Sequence, residues 1–225
     1  VGFNTPTPTM VPGISNVVRV EGGLGHACAL DASGTLYCYG VNGNGQLGDG
    51  TTTANNTPTA VPLTDVRDFA LSRSHTCAVQ ANGHLYCFGS NSAGQVGTGS
   101  AGGSPRTPQL FGFYDDIRRV TAGSGFTCAL RASGQLVCFG NILQGGSNVA
   151  TPVPVEIAGL PAERIVDLEG SDSGARCVVL EGGRVYCWGS ANPTGELGVG
   201  HQMPVEVPTE VRTYADFASI SMEGR

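Results

Sequence analysis

The amino-acid sequence predicts an all-β protein assembled from repeated four-stranded units, and three observations carry that prediction. A segment of thirteen residues, 28–40, recurs at 77–89, 128–140 and 177–189, always with its second cysteine ten positions after its first. Within each copy the side chains alternate with the period of two that strands require: Cys28, Leu30, Leu36 and Cys38 fall on one face, Ala29 and Tyr37 on the other. Thirty-five glycines and thirteen prolines in 225 residues leave few stretches long enough for a stable helix.

Folded at its middle, each copy becomes a hairpin. Placing Cys28 opposite Cys38 and Leu30 opposite Leu36 leaves Ala32-Ser33-Gly34 as a three-residue turn, whose last position favours the left-handed conformation open to glycine. Gly83, Gly134 and Gly183 hold that place in the other copies. Directly opposed residues of an antiparallel pair sit roughly 4.5 to 5.5 Å apart, the separation a disulfide needs. The expected bridges are therefore Cys28 with Cys38, Cys77 with Cys87, Cys128 with Cys138, and Cys177 with Cys187. Zinc is the competing use of eight cysteines, but the usual zinc knuckles space their ligands two to four residues apart, not ten.

Two further strands precede each hairpin. A proline-bearing stretch (Thr5 to Pro12, Thr57 to Val61, Pro108-Gln109-Leu110, Pro152 to Val155) suits a sheet edge, because proline cannot donate to a ladder. A β-branched stretch (Val17 to Val20, Val66 to Ala70, Ile117 to Val120, Ile165 to Leu168) suits a buried inner strand. First cysteines at 28, 77, 128 and 177 set a repeat of about 50 residues, the range of β-propeller blades. The expected organisation is a single propeller segment over 1–225, with repeats at roughly 17–65, 66–116, 117–164 and 165–213 and partial repeats at 1–16 and 214–225. Pro204 to Pro208 and Phe217 to Met222 are expected to begin a fifth unit, so the chain is expected to be part of a longer one.

After each hairpin an aromatic-glycine pair (Tyr39-Gly40, Phe88-Gly89, Phe139-Gly140, Trp188-Gly189) leads to Gly45-Gln46-Leu47-Gly48, Gly94-Gln95-Val96-Gly97 or Gly195-Glu196-Leu197-Gly198. The third copy departs with Leu143-Gln144-Gly145-Gly146. Together with His26, Asn42, His75 and Asn91, these motifs resemble the repeat family named after the regulator of chromosome condensation. The resemblance runs over nearly the whole chain. It implies a seven-bladed propeller, and members that include an exchange factor for a small GTPase, secreted inhibitors of β-lactamase and bacterial surface proteins. The paired cysteines are additional to the basic pattern and resemble extracellular bacterial members.

Composition narrows the function. A formal charge of −6, with all twelve basic residues arginine, argues against a general phosphate-binding surface, and nucleic acid is not an expected partner. No apolar run reaches the eighteen or so residues of a membrane span. Regular, even-numbered cysteines point to an oxidising compartment: secreted, cell-surface or periplasmic. That compartment disfavours exchange-factor activity.

No catalytic residues are expected. His26 and His75 share a repeat position that Phe126 and Ala175 fill elsewhere, which favours a structural hydrogen bond over metal ligation or acid-base work. Gly123-Ser124-Gly125 lacks the flanks of a hydrolase elbow. Asn42, Asn44 and Asp49 lack calcium-loop spacing, and the adjacent Asp115-Asp116 suit a solvated turn. No cofactor or metal is expected. The expectation is a non-catalytic extracellular binding propeller for a protein or surface glycan, with specificity in loops that differ between repeats, 141–163 and 100–104 above all. The alternative is a structural subunit of an extracellular assembly or filament, with missing chain or another copy covering the open blade edges.

Overall fold

Strand-forming segments separated by glycine turns build sixteen strands among the residues described by the computed structural model, which are 10–190, 192–211 and 217–221. They form four antiparallel sheets. The first holds β1 (Val17–Gly22), β2 (His26–Asp31), β3 (Leu36–Gly40) and β4 (Asn55–Ala60); the second holds β5 (Val66–Leu71), β6 (His75–Gln80), β7 (Leu85–Gly89) and β8 (Gln109–Leu110). The third holds β9 (Ile117–Gly123), β10 (Phe126–Arg131), β11 (Leu136–Gln144) and β12 (Ser147–Glu156); the fourth holds β13 (Ile165–Gly170), β14 (Ala175–Leu180), β15 (Val185–Gly189) and β16 (Val205–Glu210). Each sheet meanders in sequence order, as a propeller blade does.

The hairpin register places Cys28 opposite Cys38 and Leu30 opposite Leu36, and the other three blades repeat it. Gly34 turns the hairpin at φ +82°, and its carbonyl accepts the N–H of Val66, tying the turn to the next blade. Four disulfides close the hairpins, Cys28–Cys38, Cys77–Cys87, Cys128–Cys138 and Cys177–Cys187, with Cα separations of 4.0 to 4.2 Å.

The proline-bearing strands take a place different from the one their position suggested. Each pairs with the hairpin before it: β4 lies on β3, β8 on β7 and β12 on β11. The reason is geometric, since the outer edge of a blade is the one ladder position where a missing N–H goes unfelt. Val205 and its neighbours likewise become β16 of the fourth blade and do not open a fifth, while 217–221 form no strand. The N-terminal stretch from Thr5 lies outside the described residues up to Met10.

A second departure concerns 141–163, expected to be a variable loop. Here β11 and β12 run on past the length of their counterparts, with register maintained to Gln144 opposite Ser147. The turn is Gly145-Gly146, at φ +58° and +77°, the paired positive values of a tight two-residue hairpin. Most of the segment is therefore sheet.

The core lies between blades. Cys28, Leu30, Leu36 and Cys38 of the first pack against Val66, Phe69, Ala78 and Phe88 of the second. Val79, Leu85 and Phe111 of the second meet Ile117, Val120, Val137 and Phe139 of the third, where Phe111 stacks on Phe139 at 4.8 Å between centroids. Leu130, Leu136 and Phe126 of the third meet Leu168, Val178 and Trp188 of the fourth. The disulfides of the first three blades are thus buried inside an interface and join its apolar surface, while Cys177–Cys187 of the fourth lies against Leu197, Val211 and Ile220.

Candidate functional site

The inner strands β1, β5, β9 and β13 converge on a cavity of about 820 Å³. Each inner strand carries a bulge at the same register, so that residues 18, 67, 118 and 166 are the extra ones. Bulges re-aim the side chains that follow them. Those side chains are Arg19, Asp68, Arg119 and Asp167, paired with Leu30, Val79, Leu130 and Val179 at equivalent places in the four hairpins. The cavity is therefore ringed by charges of alternating sign, one per blade.

The ring is stitched across blades. Arg19 pairs with Asp68 and with Glu21, and the second oxygen of Asp68 accepts the Val120 N–H at 2.8 Å. Arg119 donates to Asp167 at 2.9 Å, whose other oxygen accepts the Ile220 N–H at 2.9 Å. Burial pushes the Asp68 carboxyl above its usual range, against the pull of Arg19 and the Val120 N–H.

Toward the strand starts, the cavity is basic. Arg67 donates to the carbonyl of Ile117, Arg131 pairs with Asp116 at 2.9 Å, and Arg164 pairs with Glu181 at 3.3 Å. Arg118 is exposed and forms no ion pair among the described residues. Toward the strand ends it is acidic. Burial, then the nearby Glu21 and Asp167, push Glu169 up to about 7. Beyond it the Arg73 N–H donates to Asp172 Oδ1 at 3.0 Å, bridging the second and fourth blades.

The repeated polar residues singled out in the sequence are occupied by the scaffold. His26 Nε2 meets Thr76 Oγ1 at 3.0 Å, and Thr76 donates to the Gln46 carbonyl at 2.8 Å. One blade on, His75 Nε2 meets Thr127 Oγ1 at 2.9 Å, and Thr127 donates to the Gln95 carbonyl at 2.8 Å. Desolvation lowers His26 to about 4 and His75, also repelled by His26, to about 3, so both rings are neutral. Between the third and fourth blades the pair changes chemistry: Phe126 stands for histidine and Arg176 for threonine, with the guanidinium carbon 3.6 Å from the ring centroid. Arg176 also donates to the Asn141 carbonyl at 2.6 Å.

Asn42, Asn91 and Asn192 clasp the loops between third and fourth strands. Asn91 Oδ1 accepts the Val96 N–H at 3.0 Å, and its amide donates to the carbonyls of Ser100 and Gly102 at 3.0 and 3.1 Å. The segment 100–104, expected to be a contact loop, is thus held from within. Asp49 accepts from Asn42 and from Thr51, at 3.1 and 2.9 Å. In the third blade Ile142 stands where the others have asparagine, and the clasped loop is replaced by the long hairpin. Asp116 is engaged by Arg131, and Gly123 ends β9 with no room for a Cβ against the Ser171 carbonyl.

The charged ring escaped sequence inspection. Its signal was an arginine or aspartate inside each β-branched inner strand, nine or ten residues ahead of the first cysteine, which reads as a side chain turned to solvent until the bulge is known.

Comparison with known proteins agrees with this architecture. Two models described as the regulator of chromosome condensation (RCC1) repeat match residues 33–79 and 82–130, and 17–46 and 66–95. The human E3 ubiquitin-protein ligase HERC2 is 29% identical over 222 residues, 95% of this chain but 4% of HERC2, and the mouse protein is 29% identical over 224. Among solved structures, human WBSCR16 superposes with a TM-score of 0.83 at 21% identity, covering 92% of this chain and 55% of that one. Prp20p of Saccharomyces cerevisiae, described with its binding to Gsp1p and histones, gives 0.78 at 23% identity, with 92% and 53% covered. The chain spans about half the length of those structures. With the blade order, hairpin register and interblade histidine bonds in place, the chain belongs to the RCC1 repeat family.

Proposed function

We infer that the chain is a non-catalytic binding propeller of an oxidising compartment, secreted or displayed at a cell surface, and that its partner is a protein. One observation carries the reading: the buried polar residues that recur between blades are spent on the scaffold, while the charge left over is gathered at one concave place. His26 and His75 are neutral, buried and bonded to threonines, and the serine beside one of them, Ser72 with its Oγ 2.6 Å from His75 Nδ1, is itself only 2% exposed and closed to a substrate. The four buried disulfides suit a compartment where thiols oxidise. Protein is preferred to glycan as the partner because Prp20p, of the same fold, is described as binding Gsp1p and histones.

Crosslinking with mass spectrometry on the full-length protein in its native fraction tests this. Crosslinks from a partner protein should cluster around the cavity mouth at the starts of the inner strands. A turnover activity that survives purification and disappears on one side-chain replacement would overturn the non-catalytic assignment, and free thiols in the native protein would overturn the compartment.

A second reading, a structural subunit of an extracellular assembly, draws on the side of the first blade that no other blade covers. There Val18, Val20, Leu24 and Val41 are each at least 50% exposed.

A further inference from the structure

We propose that the basic mouth of the central cavity is a docking site for a short acidic peptide segment, rich in aspartate or glutamate, of the protein partner. The inference rests on the binding reading above and names the chemistry of the site. Six of the twelve arginines, Arg19, Arg67, Arg118, Arg119, Arg131 and Arg164, line this one cavity with three carboxylates, in a chain whose formal charge is −6. A concave wall focuses the field of such a group and draws anions to it.

The arginines are held in place and still have donors to give. Each guanidinium has five N–H groups in a planar fork that matches a carboxylate. Arg119 is held by Asp167, Arg131 by Asp116 and Arg67 by the Ile117 carbonyl, so their orientation is set before a ligand arrives. Arg118, unpaired among the described ion pairs and exposed between Arg67 and Arg164 in blade order, offers its whole fork. Preorganisation of this kind lowers the ordering cost of binding.

Shape selects the peptide over a long polyanion. A nucleic acid or sulfated chain needs a basic track running across the surface. Here the positive groups converge in one cavity of about 820 Å³, and acidic residues outnumber basic ones over the chain as a whole. A short run of carboxylates flanked by neutral residues fills the mouth without meeting that repulsion. Farther along the inner strands Arg19 is already engaged by Glu21 and Asp68, which leaves the free donors at the strand starts.

The experiment is fluorescence anisotropy on the full-length protein with a labelled peptide of six glutamates flanked by serine and glycine. Saturable binding is expected, weakening at least tenfold between 50 and 300 mM salt. The double variant R67E/R118E, both exposed positions, should lower affinity at least tenfold, while R106E, on an exposed loop away from the cavity, should leave it unchanged. Equal binding of a glutamine peptide overturns the proposal, as does tighter binding of a heparin oligosaccharide or a DNA oligonucleotide lost in the same double variant. Partner crosslinking that persists in R67E/R118E would sink this site while leaving the binding reading intact.

Discussion

Glu169 and the two buried histidines pull the stability of the protein in opposite directions with pH. Glu169 has a folded value raised to about 7, chiefly by burial and secondly by Glu21. A raised carboxyl favours the fold in its protonated form, so its contribution is complete below the unfolded value near 4.5 and is lost as pH rises through 7. His26 and His75 are lowered to about 4 and 3 by desolvation. Their contribution is complete above an unfolded value near 6.5 and is lost as pH falls through those lower values. Between about pH 4.5 and 6.5 the two trends oppose each other. Replacing Glu169 by glutamine keeps the shape and removes one of them. Because the side chain is only half-buried, solvent screening cuts the gain to about 1–2 kcal/mol at pH 8. Thermal denaturation of E169Q should show a higher Tm than the parent at pH 8, no difference at pH 4.5, and a steeper rise between them. An equal shift at both pH values would place the effect in packing and not in charge.

The blade is the element in which most of the fold was legible, and the reason is that its signals are local. Cysteines ten apart, a glycine at φ +82° and a period of two all act within one hairpin, so Cys28 opposite Cys38 follows without knowing any neighbour. The outer strand was harder, because nothing in Thr57-Pro58-Thr59 says which side of the chain it pairs with; only the unfilled edge of β3 decides. The hairpin of the third blade was missed because its signal is a loss, Ile142 in place of a clasping asparagine. That clasp makes a measurable claim. Asn91 is 3% exposed and makes three hydrogen bonds to backbone groups of its own loop. N91A should cost about 2–3 kcal/mol, at about 1 kcal/mol for each bond, because the freed N–H of Val96 is buried. Hydrogen exchange should speed up at Val96 and its loop neighbours before it does in β6 and β7. Uniform loss of protection across the blade would show the clasp to be part of the global fold.

At the scale of the molecule, the charged ring depends on four strands about 50 residues apart sharing one bulge, which no single repeat displays. The same comparison between blades exposes an unfinished surface. Val20, Phe69, Val120 and Leu168 are equivalent by register, opposite Ala29, Ala78, Ala129 and Val178. The last three are 4% exposed or less, each covered by the blade before it, whereas Val20 is 60% exposed. Val18, Leu24 and Val41 of the same blade are likewise 50 to 64% exposed. Apolar side chains exposed in this way are costly to leave in water, at about 25 cal/mol for each Å². The solved propellers it matches continue for about twice its length, so the cover expected here is a further blade of the same fold, supplied in cis by a longer chain or in trans by a second copy. The 225-residue chain by itself should therefore self-associate through this face. Sedimentation velocity should show a concentration-dependent shift to larger species, abolished by V20E, which places an unpaired charge at the position that the other three blades bury. In the protein carrying further blades, the same substitution should instead lower Tm, because Val20 is then buried as Phe69 is. A parent chain that stays monomeric at high concentration, with V20E indistinguishable from it, would show that the first blade tolerates its open face.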